Sequence, residues 1–487
     1  MEKCTGSTLF GGIILINTKY SFVNGKKFGY ILIPIYDLGK QYILFTNKIN
    51  ELLKNKKITN QINLFAVVKF INKIYNGINE VQLDHIIGTV NEPNNYYKTL
   101  LFYGPKYNIK TLKHLNNISI SNDENNLLEL FVKSLIVNAE AKQLYTITID
   151  PTGCRDIDDA ISYIDDNNFV VHIADPNKYN EIINLDKYYV NYTSIYFGIE
   201  TYHLLPRELS TYYISLIENQ IRPVISVYFE ISNNEISIKQ IRRQNIFIDK
   251  NMSYDEANMF NNDRVINLFN VAKQLVPHYY RENKLLIDTH DMIELFMLAT
   301  NNKIAEYLIN NQQNNILFKV CDENSSKYDY INTGHHKLNL NAYVHFTSPI
   351  RRTADYIIHQ QIINCIQNND KYINTFDIGD IDIYNDVLQT IKLASNRAKY
   401  VYVANLIDNG TLYKCKLLDY NQTTFKWLII NYDLKFRCEL CHTDFIDKYV
   451  NIINKLKINE WYDIKLYKFD TSKTQLCKIA FEFEFDL

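Results

Sequence analysis

Hydrophobic and polar positions divide the chain into three patterns. From residue 8 to about residue 110, short β-branched and aromatic runs dominate, as in "GGIILINTKYSFVNGKKFGYILIPIYDLGKQYILF" and "INLFAVVKFINKIYNGINEVQLDHIIGTV". Asn-Gly and Leu-Gly pairs interrupt them. Short strands with regular turns predict a small barrel or OB-type fold. "NISISNDENNLLELFVKSLIVNAEAK" opens polar and becomes apolar at helical spacing, so it reads as a helical connector.

From Leu144 the pattern changes. "LYTITID" reads as a strand and "AISYIDDNNFVVHIAD" as a hairpin turning at "DDNN". Ser253 and Glu256 form a capping box, after which Val265, Leu268, Ala272 and Leu275 recur at helical spacing. "DMIELFMLATNNKIAEYLI" is apolar nearly all round, which predicts a buried helix. The middle of the chain is therefore an α+β core of about 250 residues. After the helical "DVLQTIKLASNRAKYVYVANLI", the runs "LYKCKLLDY", "FKWLIINY", "KFRCEL", "WYDIKLYKF" and "QLCKIAFEF" predict five short strands and a second OB-type barrel.

Composition adds limits. The 487 residues, 46% hydrophobic and 22% charged, suit a multidomain globular protein. The formal net charge of −2 excludes a nucleic-acid binder defined by bulk charge, so any basic surface must be local. Tyr, Asn, Ile and Lys are over-used, as AT-rich coding would produce, and this lowers the weight of any single Tyr or Asn. The run "LFGGIILI" is too short to span a membrane and lacks signal-peptide flanks, so a soluble intracellular protein, cytoplasmic or nuclear, is expected. The eight Cys are scattered and read as reduced thiols. "CELCH" (Cys438, Cys441, His442) fits a haem-attachment pattern or half a zinc site, but chance is the better reading.

Chemistry concentrates in "TITIDPTGCRDIDDAISY", where Asp150, Asp156, Asp158 and Asp159 fall within ten residues. In an extended chain Asp156 and Asp158 share a face, and the "PTGC" turn can return Asp150 toward them. Such carboxylates repel, and a divalent cation relieves the repulsion. Mg²⁺ takes hard oxygen ligands, and a metal pair can hold both the attacking and leaving oxygens of a phosphodiester. A solvated acidic turn explains this stretch equally simply; an EF-hand does not, because the required Gly and Glu are missing. A second constellation is "HFTSPIRRTADYIIHQQI". Ser348 as N-cap and Pro349 at the first position predict a helix start, with Arg351 and Arg352 in its first turn. Free N–H groups and a guanidinium there would form an anion site suited to phosphate, although two solvated arginines at a surface helix start would look the same.

Together, "TIDPTGCRDIDDA" and "YVHFTSPIRR" resemble the signature segments of the RNase II (RNB) family of exoribonucleases. "VVHIADPNKY", "TSIYFGIETYHLLPRELSTYYISLIENQIRPVISV", "MSYDEA" and "IELFMLATN" are similar to further family segments in the same order. The resemblance covers roughly residues 140 to 400, and the "GC.DIDDA" variant looks closest to the eukaryotic branch that includes the exosome's catalytic subunit. It implies a multidomain fold, an α+β RNB catalytic core flanked by OB-type β-barrels, cold-shock-like at the N-terminus and S1-like at the C-terminus, without a PIN domain. Expected divisions are a barrel over 1–115, a linker over 116–143, the catalytic domain over 144–403 and the S1-like domain over 404–487.

The resemblance also implies roles. Asp150, Asp156, Asp158 and Asp159 would be ligands of a two-metal Mg²⁺ site in which Mn²⁺ can substitute. Asp158 would be tied most closely to the chemical step, and Arg351 would contact the scissile phosphate. Tyr196 would clamp the RNA near its 3′ end, and Tyr254 and Glu294 would hold the terminal nucleotide. A lone carboxylate in the apolar helix of Glu294 needs a partner. The sequence departs from the family at Thr353, where a Tyr is common, and near Ile287, which is aliphatic where bacterial members place an aromatic ring. The expected activity is Mg²⁺-dependent hydrolytic 3′→5′ degradation of single-stranded RNA to nucleoside 5′-monophosphates by a monomer. Alternatives are an inactive RNA-binding scaffold of the same fold and an unrelated two-metal phosphoesterase.

Overall fold

A computed structural model of the chain describes residues 9–22, 27–35, 40–55, 62–90, 92, 95, 98–99, 119–137, 144–189, 192–197, 200–233, 235–280, 285–311, 313–322, 325–367, 377–420, 424–429, 434–439, 456–458, 460–470 and 477–483. The chain separates into two compact units. One comprises Met1–Lys113, Tyr196–Thr201 and Gln389–Leu487; the other comprises His114–Ile195 and Tyr202–Leu388.

In the first unit, β1 (Leu9–Phe22), β2 (Lys27–Pro34), β3 (Tyr42–Phe45), β4 (Leu64–Tyr75) and β5 (Ile78–Thr89) close a barrel in the order β1-β2-β3-β5-β4, with the short helix α1 (Lys48–Lys54) after β3. Alternate positions point inward, so Phe10, Ile14, Ile16, Leu32, Leu44, Ala66 and Val68 share one core. Asn76 and Gly77 both have positive φ (47° and 80°), the geometry of a tight hairpin turn that Asn-Gly pairs favour.

The second unit begins with α2 (Asn122–Ser134), capped by the reciprocal Ser121–Glu124 pair. Its centre is a six-stranded sheet of β6 (Thr146–Asp150), β7 (Asp159–Asp165), β8 (Asn168–Ala174), β11 (Ile221–Ser232), β12 (Glu235–Phe247) and β13 (Lys250–Ser253), in the order β12-β11-β8-β7-β6-β13. Between β8 and β11 lie α3 (Pro176–Asn180), α4 (Asp186–Tyr189), a two-stranded ribbon of β9 (Ile195–Phe197) and β10 (Glu200–Tyr202), and a π-helical turn at Leu209–Tyr213. The period of two along β8 and β11 sends Phe169, Val171, Ile173, Ile225, Val227 and Phe229 to one face. Against that face pack α6 (Asp263–Tyr279), which follows the four-residue helix α5 (Tyr254–Ala257), α7 (Thr289–Asn310) and α8 (Thr353–Gln367). The other face meets Tyr179, Ile183, Leu185 and Tyr189, then Leu204, Leu209 and Leu216, together with Ile350 and Tyr356. As its sequence predicts, α7 is buried on most sides. A small hairpin, β14 (Phe318–Cys321) with β15 (Ser326–Asp329), precedes the segment leading to α8.

After α9 (Ile381–Leu406) come β16 (Thr411–Tyr420), β17 (Thr424–Ile429), β18 (Leu434–Glu439), β19 (Trp461–Asp470) and β20 (Cys477–Phe483). All five expected strands form, in the order β18-β17-β16-β19-β20, around Trp427, Phe425 and Phe481. Among the described residues they make a half-barrel sheet, consistent with the OB-type module expected. Cys441 and His442 of "CELCH" lie outside the described residues, as does the side chain of Cys438. Among the described residues, no helix is long and apolar enough to cross a membrane.

Candidate active site

The acidic loop starts where β6 ends. Pro151 C=O accepts from Cys154 N–H at 2.9 Å, and Gly153 sits at φ +82°, so "PTGC" forms a tight turn with its positive φ on glycine. The next residues are locked from outside. Ile157 N–H donates to Ser215 Oγ at 3.0 Å, Leu216 N–H donates to Ile157 C=O at 3.1 Å, and Ala174 N–H donates to Asp158 C=O at 2.9 Å. The Ile157 side chain is buried in the core, and Asp156 and Asp158 are buried as well.

Asp158 meets the second motif. Ile350 N–H donates to its Oδ1 at 2.8 Å and Arg351 Nε to its Oδ2 at 3.0 Å. Arg351 also reaches Ser348 Oγ through Nη2 at 2.8 Å, yet its side chain keeps 40% exposure. This geometry corrects one expectation: α8 begins at Thr353, so Ser348 is not its N-cap and the arginines are not in its first helical turn. Tertiary pairing accounts for the delay. Arg352 bridges to Thr193, Ser194 N–H donates to Arg351 C=O at 2.9 Å, and Thr353 N–H donates to Tyr192 C=O at 2.9 Å. Ser348 N–H instead binds Asp355 Oδ1 at 2.7 Å, where Arg352 Nη2 also donates at 2.8 Å. The turn does bind anions, but here they are the chain's own carboxylates.

The four Asp influence one another. Burial pushes the Asp150 carboxyl up to about 6, against the pull of Thr148 and Arg351, with Asp156 adding to the rise. Burial likewise pushes Asp158 up to about 7, although Arg351 and Ile350 N–H oppose it. Asp159, at the start of β7, is raised well above the usual carboxylate range by burial and by Asp150 and Asp158. Asp150 Oδ2 is buried and has no hydrogen-bond partner. Among the described residues, no three His, Cys, Asp or Glu side chains converge closely enough to hold a metal ion as they stand. The chemistry of the donors nevertheless fits a hard divalent cation: crowded carboxylates, with one buried oxygen orphaned.

β13 runs parallel to β6 and pairs Ser253 with Asp150, which brings Tyr254 beside the carboxylates. Its phenol is raised by burial and then by Asp159 and Asp150. The Tyr254 ring lies 5.1 Å from that of His290 on α7, and Glu294 follows one helical turn later. The partner that Glu294 needs is Tyr280, whose hydroxyl donates to its Oε2 at 3.3 Å. Tyr196 lies on β9 in the other compact unit and is 45% exposed; Ile287 is 73% exposed.

Several site neighbours were invisible as motifs. Asp355 holds Ser348 and Arg352, and Tyr189, stacked on Tyr356 at 3.7 Å, donates its hydroxyl to Pro349 C=O at 2.9 Å. Nδ1 of His203 lies 3.8 Å from Asp156 Oδ2. A lone His in "ETYHLLP" gives no periodic or spacing signal. The only cue was its place within a segment carrying the family resemblance.

The RNB domain matches residues 139–285 and 323–368, which contain the acidic loop, Tyr254 and Arg351 but not Glu294. Among curated proteins, Ribonuclease R of Chlamydia pneumoniae is 26% identical over 46% of this chain and 47% of its own length. The chain thus spans about half the length of the curated relatives it matches. Among solved structures, Mycoplasma genitalium RNase R in complex with ribose-methylated single-stranded RNA shares the fold, with a TM-score of 0.66 and 17% identity over 98% of this chain and 90% of the other. Yeast Ssd1, a pseudonuclease, also shares it, with a TM-score of 0.58 and 12% identity over 90% of this chain and 66% of the other.

Proposed function

We propose that this protein is an RNB-family exoribonuclease that hydrolyses single-stranded RNA from the 3′ end and releases nucleoside 5′-monophosphates. The observation that carries the reading is the Arg351–Asp158 contact. It sets a half-exposed guanidinium, which suits a phosphate, directly against buried carboxylates that suit a cation.

Asp150, Asp156 and Asp159, with Asp158, would hold Mg²⁺, and Mn²⁺ can substitute. Bound there, the metal supplies positive charge that lowers the pKa of water and offsets charge on the leaving oxygen. The chain's own groups do the rest. Arg351, braced by Ser348 and Asp158, presents N–H donors to the phosphate oxygens and stabilises the charge that develops as water adds. Asp158, fixed by Ile350 N–H, holds that guanidinium in register with the reacting phosphate. Hydrolysis forms one P–O bond to water and breaks the bond to the 3′ oxygen of the preceding nucleotide, which takes up a proton. Tyr254 would stack on the terminal base, and Glu294 would accept from ribose hydroxyls, a contact that favours RNA. Tyr196 would clamp the strand further along. The barrel and the half-barrel sheet would guide it as cold-shock-like and S1-like modules.

An inactive RNA-binding scaffold is the second reading, favoured by the fold shared with a pseudonuclease. Against it stand all four Asp and Arg351. Incubation with 5′-labelled single-stranded RNA and Mg²⁺, beside Asp158→Asn, separates the two. Degradation by the wild type alone supports the nuclease. RNA binding without Mg²⁺-dependent degradation supports the scaffold.

A further inference from the structure

His203 directly follows β10, and its backbone has little freedom. Leu204 N–H donates to Ser194 Oγ at 2.8 Å, and the Leu204 and Leu205 side chains are buried in the core. The imidazole therefore has a fixed origin. Its side chain is 14% exposed, and it faces an Asp156 side chain that is 8% exposed. Nδ1 is buried without a hydrogen-bond partner, and the Asp156 carboxylate oxygen lies 3.8 Å away, just beyond bonding range. The other oxygen of Asp156 faces the Cys154 thiol, with Sγ at 3.8 Å. Asp156 is thus flanked on both sides by side chains that can donate to it.

Histidines elsewhere in this molecule divide: His278, His335 and His359 each also leave one buried ring nitrogen unmatched. His172 uses both ring nitrogens, at 3.0 Å from Ser162 Oγ and 2.7 Å from Ser226 Oγ. A buried ring nitrogen left unmatched is unfavourable. At His203 the unmatched atom points toward one of the four clustered carboxylates rather than into apolar core.

We propose that His203 is a positioning residue for the acidic site: its Nδ1 sets the orientation of the Asp156 carboxylate and thereby the affinity of the site for a divalent cation. The inference rests on reading Asp156 as a cation ligand. A small turn of either side chain closes the gap to a hydrogen bond. Outer groups that orient a ligand in this way contribute roughly 10–100-fold to metal affinity.

The test is Mn²⁺ binding to the full chain, followed by titration calorimetry and by the electron paramagnetic resonance of free Mn²⁺. It compares wild type with His203→Leu, His203→Asn and His203→Gln. The Asn amide nitrogen falls near the position of Nδ1, whereas the Gln nitrogen falls near that of Nε2. We expect His203→Leu to weaken Mn²⁺ binding about 10–100-fold and to lower kcat with KM for RNA unchanged. His203→Asn should restore most of the affinity and His203→Gln little of it. A folded His203→Leu protein that binds Mn²⁺ within about twofold of wild type overturns the inference alone. If the Leu variant does not fold, equal Mn²⁺ affinity in the Asn and Gln variants does the same. Wild type that binds RNA but not Mn²⁺ overturns the cation reading and this inference with it.

Discussion

Arg351 Nε donates to Asp158 Oδ2 at 3.0 Å, across 193 positions of sequence. The bond joins the acidic loop after β6 to the turn before α8. It places the group expected to meet phosphate beside the groups expected to meet metal. Asp158→Asn keeps an oxygen for Ile350 N–H but removes the charge that holds the guanidinium. The expected result is a folded protein that binds RNA and cleaves slower by on the order of 10³-fold in single-turnover assays.

Lysine is no substitute for Arg351. The guanidinium spans Asp158 and Ser348 with separate nitrogens, which a single ammonium cannot do. Arg351→Lys should lower kcat roughly 10²-fold with little change in RNA affinity, measurable as a kcat loss at unchanged KM.

The raised carboxylates make stability depend on pH. Asp150 (about 6), Asp158 (about 7) and Asp159 titrate above the ordinary carboxylate value in the folded state. Between the unfolded and folded values the native protein holds more protons than the unfolded chain, so stability falls as pH rises through this window. In EDTA, the melting temperature should drop on the order of 5 °C between pH 5 and pH 8. Millimolar Mg²⁺ should recover part of that loss at pH 8 and little at pH 5. A melting curve that is flat across this range, or that rises, would contradict the burial of these groups.

How far the sequence carried the fold depended on the range of the interactions. Asn76-Gly77, the Ser253–Glu256 capping box and the five C-terminal strands depend on residues close in sequence, and each appears where its pattern placed it. The Ser348-Pro349 helix start did not hold, because distant backbone competes for the same segment. Thr193 and Tyr192 capture the backbone of Arg352 and Thr353, and that competition comes from more than 150 residues away. The acidic loop was legible because carboxylates rarely crowd without cause. Tyr189, Asp355 and His203 carry ordinary side chains in ordinary local sequence, and only tertiary packing gives them their partners.

Tyr189 tests whether the turn must be held. Its hydroxyl is the donor to Pro349 C=O, and its ring stacks on Tyr356. Tyr189→Phe keeps the stack and leaves a buried carbonyl unmet, so it should cost about 1–2 kcal/mol in denaturant unfolding. Because Ser348 and Arg351 share that turn, kcat should fall several-fold while RNA binding holds.

Tyr254 and Glu294 should act on the terminal nucleotide rather than on the chemistry. Tyr254→Ala is expected to weaken single-stranded RNA binding by about 1–3 kcal/mol in fluorescence anisotropy. Glu294→Ala should narrow the preference for a 3′-terminal ribose over a deoxyribose, read as the ratio of kcat/KM values.

The central claim is hydrolysis from the 3′ end. It is tested most directly by following one single-stranded RNA, labelled at either end, with the wild-type protein and Mg²⁺. The account predicts that label at the 3′-terminal nucleotide appears in a nucleoside 5′-monophosphate from the earliest times, while the 5′-labelled strand shortens progressively. Internal fragments, products ending in 3′ or cyclic phosphates, or RNA that stays intact while bound would contradict it.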